Sequence, residues 1–217
     1  CLVGSEMCIR DRNMALGAVN DPRAARAQGA VLGRELAALG INVDFAPDVD
    51  VNTNPANPVI GVRSMGDDPV RVGVLGVEQI RGIQSRGVAA TAKHFPGHGD
   101  TQIDSHLGLP VVEYGRTTLE RHLVPFRMAI SAEVDMIMTA HIIVKTLDPT
   151  MPATLSKKVL TGLLREQMGY RGIITTDALD MEGAQLAVMT EDEKGTYTRL
   201  KAVSYTHLRA HETRGNL

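Results

Sequence analysis

The chain has 217 residues, a formal net charge of −2, 43% hydrophobic and 22% charged residues, which fits one globular domain with a core large enough to be stable. Near-neutral charge and 3% aromatic content exclude a basic nucleic-acid surface and an aromatic base-stacking platform. No apolar run approaches the roughly eighteen residues of a membrane span.

In chain order, the two ends stand apart from the rest. Residues 2–11 (LVGSEMCIRD) can be encoded by CTC GTG GGC TCG GAG ATG TGT ATA AGA GAC. The reverse complement of that DNA, read in frame, encodes VSYTHLRAHE, which is residues 203–212. All ten codons agree, so the ends resemble one translated sequencing adapter read in opposite directions. Residues 1–12 and 203–217 are therefore expected to be non-native scars on a truncated gene fragment, with a partial catalytic barrel between them over residues 13–202. Cys1, Cys8, His207 and His211 fall within the scars, so the redox compartment is unreadable and on this reading the true start is missing. Compartment and oligomeric state stay open.

After the first scar, Asp21-Pro22 pairs an N-cap with proline at the first helical position, and Ala25, Leu32, Leu36 and Leu39 follow at helical spacing up to Gly40. Residues 41–46 (INVDFA) predict a strand. Residues 47–66, rich in Asn and Pro, predict a long loop, and loops of that length in a compact domain are usually functional. Asp68-Pro69 repeats the capping device and opens a helix through Val72, Val77, Ile80 and Ile83, closed by Gly87. The apolar run 88–92 predicts a buried strand whose C-terminal loop, A-K-H-F-P-G-H-G-D-T-Q-I-D-S-H, gathers the polar residues. Thr117 and Glu120 have capping-box spacing, with Pro125 a kink or restart. Residues 136–144 (MIMTAHIIV) predict a strand, Ser156 caps a helix through Val159, Leu160, Leu163 and Leu164, and residues 172–176 (GIITT) predict a last strand ending at Asp177.

Strict helix–strand alternation predicts a parallel α/β sheet of βαβ units. Polar residues recur at the strand ends: Asp48 or Asp50, Lys93 with His94, His141, and Asp177. Such ends converging on one face are the mark of a (β/α)8 barrel, of which four strands make about half. Residues from 183 onward carry little pattern.

Each polar residue has a chemical and a structural reading. Asp177 can attack an anomeric carbon, or cap the helix after its strand. Asp104 can bond one imidazole nitrogen of His106 and make the other a general acid/base, or the pair can be a solvated turn. Lys93 and His94 can be a snorkelling lysine and a core histidine, and Arg63 a surface arginine. His94, His98, Asp100, Asp104 and His106 also offer metal-ligand atoms, although Pro96, Gly97 and Gly99 keep the histidine pair off any helix.

K-H-F-P-G-H-G followed by D-S-H, with I-G-V-R-S upstream and T-T-D-A-L-D-M downstream, resembles family 3 glycoside hydrolases. Within that family it resembles the β-N-acetylglucosaminidase branch, bacterial enzymes often tied to peptidoglycan turnover. The resemblance covers residues 15–189. It implies an incomplete (β/α)8 TIM barrel with no cofactor and no metal, acting with retention on terminal β-linked N-acetylglucosamine. By the same resemblance Asp177 is the nucleophile, His106 the acid/base oriented by Asp104, and Lys93, His94 and Arg63 bind the sugar. Asp50 and His141, at the other strand ends, join that binding set. A barrel histidine as acid/base separates this branch from the family's β-glucosidases, whose acid/base carboxylate is expected from a second domain.

The sequence departs from the family at Asp48, where an uncharged residue is frequent, and at Met65, where an aromatic is common. A D-Q-E-G-G-type strand and the last barrel strands are absent. A β-glucosidase, an N-acetylglucosaminide phosphorylase, a metal-dependent hydrolase on the same barrel and a non-catalytic sugar-binding module remain as alternatives. Half a barrel leaves two sheet edges open, so the 217 residues alone are expected to be aggregation-prone and inactive.

Overall fold

A computed structural model describes residues 13–106, 108–187, 189–191 and 197–199; both expected scars lie outside these residues. Helices α1 (Asn13–Val19) and α2 (Pro22–Ala38) precede strand β1 (Val43–Asp44) and helix α3 (Pro69–Gln84). Strands β2 (Ala89–Phe95) and β3 (Val111–Val112), helix α4 (Arg116–Ser131), and strands β4 (Met136–Thr139) and β5 (Ile143–Val144) follow. A π-wound helix (Lys158–Gln167) leads to strand β6 (Ile173–Thr176) and helix α5 (Glu182–Ala187). An antiparallel pair, β7 (Met189–Glu191) and β8 (Tyr197–Arg199), closes the described chain in the stretch that carried little pattern.

The main sheet is parallel with strand order β1-β2-β4-β6, and helices intervene between successive strands, as the alternation predicts. Register runs Val43 to Ala89, Thr91 to Met136, and Met136 to Ile173. Between Ala92 and Phe95 the pairing with β4 shifts, a stretch that includes the cis Lys93–His94 peptide. Parallel strands all end on one side, so the segments after β1, β4 and β6 share a rim with the end of β2.

Both Asp-Pro caps form. The Asp21 carboxylate accepts from the Arg23 N–H at 2.9 Å and that of Asp68 from the Arg71 N–H at 2.8 Å, satisfying otherwise orphaned donors. The packed face of α2 is the expected stripe only in part: Ala25 is in the core and Leu36 packs half-buried against it. Ala25, Gly29 and Gly33 are its buried residues, while Leu39 is 76% exposed. A Cβ on Gly29 would lie 2.3 Å from the Gln79 carbonyl oxygen, so α2 and α3 approach backbone to backbone and small residues do the packing. The α3 stripe of Val72, Ile80 and Ile83 is fully buried, as its spacing predicts. Behind the sheet, Phe95 meets Phe126 edge-on at 5.2 Å.

Several elements differ from the sequence reading, β1 among them, which is only Val43–Asp44 within the expected 41–46. Strand β2 runs on through Lys93 and His94 to Phe95, so these two belong to the strand itself. Strand β4 stops at Thr139, and residues 143–144 leave the main sheet to pair with β3. Helix α4 passes through Pro125 unbroken and begins after Gly115 without a side-chain cap; Glu120 pairs with Arg127 at 3.0 Å instead. Ser156 Oγ does accept from the Val159 N–H at 3.2 Å, but the helix beyond is π-wound. No helix among the described residues is long and apolar enough to cross a membrane.

Candidate active site

The rim is built outward from Asp50, two residues past a bridge between Asp48 and Lys93 that prolongs the β1–β2 pairing. Asp50 is 0% exposed. Its Oδ2 lies 2.7 Å from His94 Nδ1 and accepts from the His94 backbone N–H at 3.2 Å; its Oδ1 accepts from the His98 N–H at 2.6 Å. Ser64 Oγ donates to the Asp50 carbonyl at 2.6 Å, tying the far end of the long loop to the same point.

These bonds fix His94. A carboxylate only accepts, so Nδ1 carries the hydrogen. Arg63 Nη2 lies 3.3 Å from Nε2, and a guanidinium only donates, so Nε2 presents its lone pair. His94 is thus neutral, in agreement with burial that holds it well below the ordinary histidine range against the pull of Asp48.

Asp177 enters from β6. Its Oδ1 accepts from the Ala178 N–H at 2.8 Å, and its Oδ2 lies 3.7 Å from His94 Nε2, with the side chain 27% exposed. Burial pushes this carboxyl upward; His94, the Ala178 N–H, His141 and Lys93 more than offset it and leave it below the usual carboxylate range. With His94 neutral, the N–H and the lysine are the contributors that persist near pH 7. A carboxylate in this state is ionised and partly open.

His141, just past β4, is buried and does not face the cleft freely. Its Nε2 lies 3.0 Å from the Ala178 carbonyl, which only accepts, and its Nδ1 lies 3.0 Å from Thr154 Oγ1. It therefore anchors the turn that follows Asp177. Lys93 is lowered by burial, with Asp48 and Asp177 opposing, and sits between the two carboxylates electrostatically.

Asp104 and His106 form their dyad. His106 Nδ1 and its backbone N–H lie 2.7 and 2.8 Å from Asp104 Oδ1. Burial raises the Asp104 carboxyl, and the two His106 bonds outweigh it, so the net shift is downward. The His106 side chain is 59% exposed, and among the described residues its bonds run to Asp104 and not to Asp177. The loop between them is nonetheless pinned to the site. Ser105 Oγ lies 3.1 Å from His98 Nε2, and the Ser105 carbonyl accepts from the Gly183 N–H at 3.0 Å, just past the Asp177 turn.

Sequence reasoning missed this scaffold. His98, weighed only as a metal ligand, is buried and bridges Thr101 (2.7 Å) and Ser105. Asn57 donates to the His98 carbonyl at 2.8 Å, which explains one polar residue of the long loop. Gly99 is needed because a Cβ there would lie 1.9 Å from the Val51 carbonyl oxygen, and Gly97 has φ +125° against the His122 ring. A buried polar residue inside a polar motif gives no pattern that distinguishes bracing from catalysis.

The ligand set of the alternative metal reading is not gathered among the described residues: His98 is bonded to Thr101 and Ser105, and the bonds of His106 run to Asp104. Among the described residues, Asp48, Asp50 and His94 bring three ligand-type atoms within 4.8 Å of one another. There the His94 proton is given to Asp50, and the Arg63 guanidinium faces Asp48 Oδ2 at 3.5 Å, so the protein itself supplies the neutralising charge.

The sequence profile of the glycosyl hydrolase family 3 N-terminal domain matches residues 4–202. A β-hexosaminidase A of Pseudoalteromonas piscicida is 46% identical over 188 residues, covering 79% of this chain and 31% of its own length. A solved family 3 β-N-acetylglucosaminidase from Paenibacillus sp. str. FPU-7 superposes with TM-score 0.79 at 52% identity, over 80% of this chain and 34% of that one. The structure of NagZ from Neisseria gonorrhoeae in complex with N-trifluoroacetyl-D-glucosamine gives TM-score 0.73 at 36% identity, over 79% and 51%. The chain thus spans about a third to a half of the length of these three relatives.

Proposed function

The chain belongs to glycoside hydrolase family 3, and from that premise we propose that it supplies the catalytic barrel portion of a retaining β-N-acetylglucosaminidase. The observation that carries the reading is the state of Asp177, an ionised carboxylate at the open rim of a parallel sheet with Oδ2 3.7 Å from a neutral imidazole. Its relatives named β-hexosaminidase and the sugar-analogue complex of a 36% identical structure support the substrate class.

In the proposed reaction Asp177 Oδ2 attacks the anomeric carbon as the glycosidic bond breaks, and His106 Nε2 gives its proton to the departing oxygen. Asp104 holds the His106 Nδ1–H throughout and stabilises the ring when charged. In the second half, neutral His106 takes a proton from water, whose oxygen attacks the anomeric carbon and releases Asp177. Arg63 and Lys93 donate to sugar hydroxyls. Asp50 and His141, read from the sequence as sugar contacts, are assigned to positioning: the first sets the His94 tautomer and the second anchors the Asp177 turn.

The test is the stereochemistry of the first-formed product, followed by proton NMR in a full-length protein carrying this sequence. The β-anomer of N-acetylglucosamine is expected before mutarotation. The α-anomer, or binding without turnover, would overturn the proposal.

A further inference from the structure

Asp48 is a further carboxylate of the site, and the reaction above does not use it. It is buried, and Oδ1 accepts one backbone N–H, that of Asp50, at 3.0 Å. Its Oδ2 is buried, with no hydrogen-bond partner among the described residues. Asp50, two residues on, takes three donors from His94 and His98. Two carboxylates so close and so dry do not both hold full charge cheaply, and the one with fewer donors gives way.

The charged and titratable groups that face Asp48 are Asp50 from its own segment, Lys93 and His94 from β2, and Arg63 from the turn Gly61–Arg63. Of these, Arg63 has a choice. Its Nη2 stands 3.5 Å from Asp48 Oδ2 and 3.3 Å from His94 Nε2, its Nη1 donates to the Val59 carbonyl at 3.3 Å, and its side chain is 40% exposed. The ion pair with Asp48 is thus a long one, and Nη2 is shared between that carboxylate and the His94 ring.

We propose that Asp48 is a positioning residue that sets where Arg63 points: as a carboxylate it draws the guanidinium inward and withholds it from the sugar, and as a neutral acid it releases it. This rests on the reading of the rim as a sugar site. Burial pushes Asp48 up to about 7, with Asp50 adding to the rise and His94, Arg63 and Lys93 opposing it, so the two forms exchange in the neutral range. When one protonation state alone is competent, the apparent affinity falls with its population, here about tenfold between pH 6 and pH 8.

The experiment is calorimetric titration of N-acetylglucosamine into a full-length protein carrying this sequence, at pH values from 5.5 to 8.5. The wild type should weaken about tenfold as pH rises from 6 to 8. Asp48→Asn, uncharged throughout, should bind tightly and without that slope. Asp48→Glu, which keeps the charge, should retain a slope, and His106→Ala should retain the wild-type one. A flat wild-type profile, or an unchanged slope in Asp48→Asn, overturns the role of Asp48 while leaving the sugar site intact. Failure of N-acetylglucosamine to bind at any pH overturns the sugar site itself, and the role of Asp48 with it.

Discussion

Asp177 and His94 lie 3.7 Å apart although the strands that carry them are not neighbours, since β4 runs between β2 and β6. Adjacent strands are spaced about 4.8 Å, so their roots are roughly 9.6 Å apart and the side chains meet over the end of β4. Thr139 and Ala140, both buried, lie at that end. The contact puts an ionised carboxylate beside a neutral ring whose proton is committed to Asp50.

The dyad makes the first prediction. Protonation matters most for a poor leaving group. In a full-length protein carrying this sequence, His106→Ala should slow hydrolysis of an N-acetylglucosamine disaccharide by about 100-fold or more, and that of a nitrophenyl glycoside far less. Asp104→Ala should show the same pattern more weakly. Equal losses on both substrates would remove His106 from proton transfer.

Asp50 makes the second. Replacing it with alanine leaves the N–H groups of His94 and His98 and the His94 ring without their acceptor. Buried donors left unpaired cost about 1–3 kcal/mol each, less what relaxation or water recovers. Asp50→Ala should therefore lose about 2–5 kcal/mol in chemical denaturation and most of its turnover. A denaturation midpoint equal to wild type would show that these bonds do not hold the rim.

How much of this was legible in the sequence depends on the element. The Asp-Pro caps were readable because capping is a local event, settled by the residue and its next turn. The α2 stripe is legible only in part: Ala25 and Leu36 pack as their spacing predicts, but the backbone-to-backbone contact with α3, far along the chain, selects small residues, and Leu39 is left exposed. Asp177, Lys93 and His94 were legible as strand-end polar residues, and the family motif named them. The work of His98, Asn57 and Ser64 was not, because buried bracing bonds depend on which loops meet. His106 was read as partner to Asp104 from spacing alone; its docking through Ser105 onto Gly183 is a long-range contact with no trace in either segment.

Stability against pH gives the third prediction. The Asp48 carboxyl is raised from 3.8 to about 7, so the folded chain binds this proton more tightly than the unfolded chain. Its contribution is fully present below about pH 4 and is lost as pH rises through 7, by at most about 1.4 kcal/mol per pH unit. Asp48→Asn should thus gain on wild type between pH 5 and pH 7.5, read as a widening difference in urea midpoints. A constant difference across that range would contradict the buried, raised state of this group.

The nucleophile carries the account. Asp177→Ala should cut turnover by several orders of magnitude, and a loss within about tenfold, a barrier change of only about 1.4 kcal/mol, would be too small for that role. The most direct measurement is peptide mapping of a full-length protein carrying this sequence after reaction with an activated fluoro-sugar analogue of N-acetylglucosamine that deglycosylates slowly. One label per chain is expected, on the peptide containing Asp177, and none in Asp177→Ala. A label on another residue, or inactivation of Asp177→Ala at the wild-type rate, would contradict it.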